Sequence, residues 1–176
     1  RKYPTFDGLN LTWETLEGVV KHNGPLIRYG ATLKDLPIAI QEYVATHDLE
    51  LDTWPSLEAQ VAAHADDVAY NNHDIDDGLR AGLFTLNELR EEVPMVARVL
   101  GTVEKDYPGI DEFRLGAETV RRLIGVWIDD LMWETNNRLE KAKPQSVEDV
   151  RAAGAPLVGF SDVMNEHQAV LRRFLM

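Results

Sequence analysis

The stretch that decides the fold runs from Asp111 to Lys141 and reads "DEFRLGAETVRRLIGVWIDDLMWETNNRLEK". Its apolar residues recur mainly at intervals of three and four, which places side chains on one side of an α-helix. They form one broad stripe: Phe113, Leu115, Val120, Leu123, Ile124, Trp127, Ile128, Leu131 and Met132. No run elsewhere alternates apolar and polar residues for long enough to indicate a strand. The sequence therefore predicts an all-α fold.

Capping residues mark the starts of further helices on both sides of this stretch. A hydroxyl side chain can accept a hydrogen bond from an N–H group in the first turn of a helix. Glu88 follows Thr85 by three residues, the spacing of a capping box, and Pro94 suits the first turn of the next helix. The hydroxyl residues that precede helical patterns are Thr12, Ser56, Thr85, Ser146 and Ser161.

Length and composition indicate an ordinary globular protein. The chain has 176 residues, which predicts a single helical domain over residues 1–176. There is no apolar run of the roughly 18 residues that a membrane span needs, and no secretory signal. The absence of cysteine excludes disulfides and thiolate metal sites. We therefore expect a cytoplasmic protein that does not associate with a membrane.

The balance of charges bears on the class of partner. Eighteen basic and thirty acidic residues give a formal net charge of −12. Domains that bind duplex nucleic acid usually present a basic surface, so strong nucleic-acid binding is not expected. A small molecule that carries phosphate would need a metal ion or a local group of arginines. The alternative interpretation is that the acidic residues only keep the protein soluble.

The candidate site is the stretch "HADDVAYNNHDIDD", His64–Asp77. On a helix, Asp66, Tyr70 and Asp74 share one stripe about 12 Å long, which Asp77 extends. No lysine or arginine occurs between Lys34 and Arg80, whereas a solvated helix more often mixes basic residues with its acids. This pattern favours a metal or substrate site. The alternative is a solvated acidic surface in which the ring of Tyr70 belongs to the core.

Two stretches carry a resemblance to a known family: "FDGLNLTWETLEGVVKHNGP" (Phe6–Pro25) and "EAQVAAHADDVAYNNHDIDDGLRAG" (Glu58–Gly82). They resemble the bacterial deoxyguanosinetriphosphate triphosphohydrolase-like proteins, which are metal-dependent phosphohydrolases of the HD superfamily. The later stretches "RRLIGVWIDDLMWETNNRLE" and "SVEDVRAAGAPLVGFSDVM" are similar to that family's C-terminal half, so the resemblance covers essentially the whole chain. It implies the C-terminal part of a helical HD-superfamily enzyme that splits deoxynucleoside triphosphates into deoxynucleoside and tripolyphosphate.

The resemblance also implies roles for individual residues. The family's metal site combines a histidine, a His-Asp pair and a final aspartate in an Ala-Asp-Asp-x-x-Tyr element, which matches Ala65–Tyr70. Asp66 would then be the last ligand of a divalent metal ion such as Mg or Mn. Tyr70 and Asp74 would contact the deoxyribose. The other ligands would lie upstream of Phe6, so we expect this chain to be a portion of a longer enzyme and to be inactive by itself.

Two questions stay open at the level of sequence. Arg114, Arg121 and Arg122 are candidates for binding the triphosphate, but they suit the exposed surface of an amphipathic helix equally well. The chain could also be a non-catalytic helical module that binds a partner or forms a homo-oligomer. Its last residues, "VLRRFLM", and the tryptophan-bearing stripe of Asp111–Lys141 would suit such an interface, although core packing explains the same residues.

Overall fold

A computed structural model describes residues 4–5, 8–28 and 30–176 of the chain. Phe6 and Asp7, which open the first stretch that resembles the family, lie outside the described residues. The described residues form eight α-helices and one 3₁₀ turn at Leu33–Asp35, with no strand among them, so the predicted all-α fold is confirmed. The helices are α1 Trp13–Lys21, α2 Ile38–Val44, α3 Leu57–Ala81, α4 Leu86–Glu92, α5 Pro94–Asp106, α6 Glu112–Ala142, α7 Val147–Arg151 and α8 Asp162–Leu175.

The predicted helix starts are confirmed by their hydrogen bonds. The hydroxyls of Thr12, Ser146 and Ser161 accept hydrogen bonds from N–H groups in the first turns of α1, α7 and α8. Thr85 does the same for α4, and its own N–H donates to the Glu88 carboxylate at 2.7 Å, which completes the capping box. Ser56 Oγ accepts from an N–H in the first turn of α3 at 3.4 Å. These bonds satisfy donors that have no partner inside the helix.

The chain divides into two compact units. The first comprises Arg1–Ala63 and Ala142–Leu157, and the second comprises His64–Lys141 and Val158–Met176. The border between them falls inside α3. The expectation of a single domain over residues 1–176 stays a prediction.

The first unit contains a buried group of charges. The side chains of Glu17 and Lys21 are fully buried, and Lys21 Nζ lies 3.2 Å from Glu17 Oε1. Lys21 also donates to the carbonyl of Glu50 at 2.9 Å and to the hydroxyl of Thr53 at 2.8 Å. Arg151 donates to both carboxylate oxygens of Glu17, from Nε at 2.9 Å and from Nη2 at 3.2 Å. Every charge in this group therefore has an opposite charge in contact with it.

The environment of these charges shifts their pKa values. Burial raises the pKa of Glu17, but hydrogen bonds from Arg151 and Lys21, with the charges of both residues, outweigh burial and leave that pKa lowered. Burial lowers the pKa of Lys21, and the contacts with Glu17 offset only part of this effect. The guanidinium of Arg151 also lies 4.7 Å from the ring centroid of Trp13, a distance at which a cation is attracted to the face of an aromatic ring.

A glycine ends the turn that follows α1. Gly24 has a φ of +100°, and a Cβ added there would lie 2.6 Å from Cζ3 of Trp54. A side chain at this position would therefore be strained and would collide with the indole ring. The predicted end of the first helix at Asn23–Pro25 is confirmed, since α1 ends at Lys21 and its C-cap is His22.

The second unit is built on apolar packing. Helix α5 buries five apolar side chains, and α6 and α8 add Leu123, Trp127 and Leu171, which are fully buried. Polar contacts also fix the segment before α8 to α6. The N–H and the hydroxyl of Ser161 donate to the Asp130 carboxylate at 2.9 and 2.7 Å, and Arg138 Nη2 donates to the carbonyl of Phe160 at 3.0 Å.

The apolar stripe predicted on α6 covers more of the helix surface than is buried in the structure. Leu123 and Trp127 are fully buried, whereas Phe113, Ile128 and Met132 are 72%, 44% and 59% exposed. The nine predicted positions spread around more of the helix than its neighbours cover. None of the helices in the described ranges is both long and apolar enough to cross a membrane.

Candidate substrate site on helix α3

The candidate site lies on one continuous helix. Helix α3 runs without interruption from Leu57 to Ala81 and contains the whole motif, so the helical spacing of its polar residues is confirmed. Asp66 is exposed, Tyr70 is 66% exposed, and Asp74 is half-buried. The exposure of Tyr70 contradicts the alternative that its ring belongs to the core.

The polar groups of this site have no partners in the described part of the chain. Within residues 4–5, 8–28 and 30–176, the side chains of Asp66, Tyr70 and Asp74 make no hydrogen bond or ion pair. We call Asp66, Tyr70, Asp74 and Asp77 the acidic stripe. Its groups can therefore accept a ligand without first breaking a contact inside the described residues.

The other side of α3 packs against the protein. Its side chains at Val68 and Ile75 are buried, as are the amide side chains of Asn71 and Asn72. Asp67 lies between this buried side and the acidic stripe, because the helical row that starts at Asp67 continues to the buried positions Asn71 and Ile75. The two adjacent aspartates thus have different surroundings, as their 100° separation around the helix requires.

Asp67 contacts an arginine that the sequence did not single out. Its Oδ1 lies 3.4 Å from Nη2 of Arg172, in the last turn of α8. The same nitrogen lies 3.3 Å from Oε1 of Gln168, whose side chain is buried. In the sequence, the end of α8 suits an interface or the packed core. No sequence pattern predicts the contact of Arg172 with Asp67 on α3, because the two residues are far apart in the chain.

His64 is a packed residue. Its ring meets the ring of Phe160 edge-on, with 5.2 Å between the centroids. Burial lowers the pKa of His64, and the nearby carboxylate of Asp67, 4.0 Å from Nδ1, offsets this only in part. The lowered pKa of His64 favours its neutral form, and the contact with Phe160 gives it a role in packing.

The described residues do not by themselves fit a catalytic metal centre. Among them, no three histidine, aspartate or glutamate side chains are close enough together to hold a metal ion. Asp66 offers one carboxylate, whereas a protein-bound divalent ion commonly takes several protein ligands. A metal role for Asp66 would need ligands from elsewhere in the protein.

The three arginines predicted as phosphate ligands form ion pairs on helix surfaces. Arg114 Nε lies 3.3 Å from the carboxylate of Asp111. Arg121 and Arg122 both donate to Glu118, and Arg122 Nη1 also donates to Asp106 at 2.7 Å. Hydrogen bonds from Arg121 and Arg122 lower the pKa of Glu118 to about 2. Phosphate binding by these arginines stays a prediction. Arg114 and Arg121 are exposed, as the alternative of a helix surface expects, whereas Arg122 is half-buried.

Comparison with models of protein families finds no match. Individual proteins do match. A deoxyguanosinetriphosphate triphosphohydrolase-like protein of Parvibaculum lavamentivorans is 58% identical over 174 residues, which are 99% of this chain and 44% of that protein. Proteins with the same name from Bradyrhizobium sp. and Brucella suis are 52% and 53% identical, again over 99% of this chain and over 43% and 44% of their own lengths.

Over nearly its whole length, the chain is a homologue of the deoxyguanosinetriphosphate triphosphohydrolase-like proteins. The resemblance read from the sequence is confirmed. The chain spans less than half the length of these relatives, which is consistent with the predicted C-terminal portion. The acidic stripe of α3 is therefore one part of a homologue of these triphosphohydrolase-like proteins.

Proposed function

We propose that the longer protein to which this chain belongs hydrolyses deoxynucleoside triphosphates to deoxynucleoside and tripolyphosphate. The observation that supports this most is the acidic stripe: Asp66, Tyr70 and Asp74 lie along one side of α3, in a homologue of proteins named for dGTP triphosphohydrolysis. A cytoplasmic location, where deoxynucleotides are found, belongs to the same proposal.

Each residue of the stripe has a distinct proposed role. Asp66 is one ligand of a divalent ion, with the remaining ligands contributed by parts of the protein outside this chain. Tyr70 and Asp74 contact the deoxyribose, because a phenol and a carboxylate can both hydrogen-bond a sugar hydroxyl. Their full or partial exposure and their lack of partners among the described residues support roles in binding, since a ligand can reach these groups without displacing another side chain.

The test uses the full-length protein with dGTP and a divalent ion, and measures release of tripolyphosphate and deoxyguanosine together with bound metal. Asp66→Ala is expected to abolish turnover and to lower the metal content. Asp67→Ala is the matched comparison, since it removes the adjacent carboxylate; it should keep the bound metal and lose much less turnover than Asp66→Ala. An inactive, metal-free Asp67→Ala with an active Asp66→Ala would show that the assigned residue is wrong by one position.

The 176-residue chain alone is expected to hydrolyse no deoxynucleoside triphosphate at a useful rate. A single carboxylate leaves a divalent ion mostly hydrated and weakly bound. Tripolyphosphate release from dGTP by the purified chain, matched against the same preparation of Asp66→Ala to exclude contamination, would contradict this expectation.

A second candidate function is a helical interaction module. It is favoured by the exposed apolar side chains in the second half of α6, where Met132 and Trp133 are 59% and 62% exposed. The first function requires a divalent metal ion, whereas an interaction module does not. A full-length protein that shows no metal-dependent hydrolysis, and whose oligomeric state in light scattering changes with Met132→Ser and Trp133→Ser, would favour this second function.

A further inference from the structure

Arg172 is held in place by two contacts that use only one of its nitrogens. Nη2 lies 3.3 Å from the buried amide of Gln168 and 3.4 Å from the carboxylate of Asp67. The guanidinium group has further N–H donors on Nε and Nη1, and neither nitrogen has an acceptor among the residues that the structure describes. The side chain is 45% exposed. The guanidinium group of Arg172 is therefore held through Nη2, while Nε and Nη1 can still donate hydrogen bonds to a ligand.

Arg172 lies close in the fold to a residue next to the acidic stripe. It contacts Asp67, whose Cα is about 3.8 Å from the Cα of Asp66. Asp67 lies at the border between the stripe and the buried side of α3. The guanidinium group thus contacts the residue that adjoins Asp66 along α3, at the edge of the acidic stripe.

A triphosphate needs more positive charge at this place than the one divalent ion proposed at Asp66 supplies. The region of α3 from Asp66 to Asp77 contains five aspartates and no lysine or arginine. The next arginine, Arg80, is paired with Asp76 at 2.9 Å. Such a surface repels a highly charged anion unless positive charge compensates. A guanidinium group is well suited to this, because its planar donors match the oxygens of a phosphate.

The arginines of α6 are less available than Arg172. Arg121 uses Nε and Nη2 in its contacts with Glu118. Arg122 uses Nε for Glu118 and Nη1 for Asp106. Each would have to break two charge-assisted hydrogen bonds of 2.6–2.8 Å to bind a phosphate. The contacts of Arg172 are longer, and they leave two nitrogens available.

We infer that Arg172 is a substrate-binding residue that contacts the triphosphate group, and that Gln168 and Asp67 position its guanidinium. This inference rests on the proposed function. It assigns the triphosphate end of the substrate to the border of α3 and α8, and the sugar to Tyr70 and Asp74 along the same helix.

The experiment compares Arg172→Gln with Arg173→Gln in the full-length protein. Arg173 is the adjacent exposed arginine of α8, so its variant removes the same charge from the same turn. Three quantities are measured: kcat and KM for dGTP, the affinity for inorganic tripolyphosphate, and the affinity for deoxyguanosine, both affinities by calorimetry. Thermal melting of both variants checks that they fold.

Arg172→Gln is expected to raise KM and to weaken tripolyphosphate binding by about tenfold or more, the effect of losing hydrogen bonds to a charged group. Deoxyguanosine affinity should be unchanged, which a general loss of structure would not produce. Arg172→Lys should restore part of the tripolyphosphate affinity because it restores the charge.

Three outcomes distinguish a failure of the role of Arg172 from a failure of the proposed reaction. Hydrolysis of dGTP with the same KM in Arg172→Gln and the wild type would overturn the inference and leave the proposed function standing. Equal losses in Arg172→Gln and Arg173→Gln would also overturn it, since they would show only a general effect of charge. If the wild type hydrolyses no dNTP but Arg172→Gln alone loses tripolyphosphate affinity, the proposed reaction fails and Arg172 is still supported as a triphosphate ligand.

Discussion

Glu17 and Asp66 are both acidic residues on helices, and their surroundings are opposite. Glu17, in the first unit, is fully buried and receives hydrogen bonds from Arg151 and a contact from Lys21. Asp66, in the second unit, is exposed and has no polar partner among the described residues. This difference in burial and pairing indicates different roles. Glu17 stabilises the fold, whereas Asp66 is available to a ligand.

The largest effect on stability is expected from Glu17→Gln. Removing the carboxylate charge leaves Lys21 and Arg151 without their counter-charge in a buried site, which should lower the free energy of unfolding by about 3–5 kcal/mol. Urea denaturation measures the change. Glu14→Gln, an exposed position on the same helix, is the control and should cost no more than about 1 kcal/mol. Equal effects of the two variants would contradict a structural role for the buried group.

A smaller loss of stability is expected from Gly24→Ala in the same unit. The positive φ and the contact with Trp54 described above should together lower the free energy of unfolding by about 1–3 kcal/mol. Gly101→Ala is the comparison, because Gly101 lies in helix α5 and a Cβ added there would meet nothing within 4 Å beyond the helix's own backbone. That variant should be neutral or should stabilise by about 1 kcal/mol, since alanine favours helix. Thermal melting would refute the argument if both substitutions changed stability in the same direction.

Tyr70→Phe should affect activity and leave stability nearly unchanged. It removes a hydroxyl that has no partner among the described residues, so the free energy of unfolding should change by less than about 0.5 kcal/mol. In the full-length protein, KM should rise or kcat should fall by about two- to tenfold, the effect of one lost hydrogen bond. Tyr107→Phe, at another exposed tyrosine, is the control. If Tyr70→Phe destabilised the protein without changing kinetics, Tyr70 would be structural.

The smallest effect is expected from Glu118→Gln and depends on pH. Because the pKa of Glu118 is lowered to about 2 in the folded protein, its ionised form stabilises the fold at pH values above its ordinary value of 4.5. That stabilisation is lost as the pH falls from about 4.5 to about 2. The stability difference between the wild type and Glu118→Gln should therefore shrink over this interval. A difference that stays constant from pH 7 to pH 2 would contradict a contribution of the ion pairs of Glu118 to stability.

The sequence predicted local features well because their causes are local. The capping residues Thr12, Thr85 and Ser161 lie within a few residues of the groups they bond, so their patterns identify the helix starts. The stripe of Asp66, Tyr70 and Asp74 followed from helical spacing in the same way. Its proposed roles came from the family resemblance, since spacing alone is also compatible with a solvated surface.

The features that the sequence missed depend on residues far apart in the chain. Glu17 and Lys21 have the spacing of an ordinary exposed helix pair, and nothing local indicates that Arg151 joins them in a buried group. The contact of Arg172 with Asp67 is hidden for the same reason. On α6, apolar periodicity identified the helix but could not show which part of the stripe has neighbours to pack against, and Met132 is exposed.

The arrangement of Arg151 restricts how this sequence can diverge. Its Nε and Nη2 bond the two oxygens of Glu17, and its guanidinium lies at the ring of Trp13. Lysine carries the same charge but has neither the two parallel donors nor the flat surface, so it cannot replace arginine here. Positions 17 and 151 should therefore change together among related sequences or remain as they are, although one lies near the start of the chain and the other near its end.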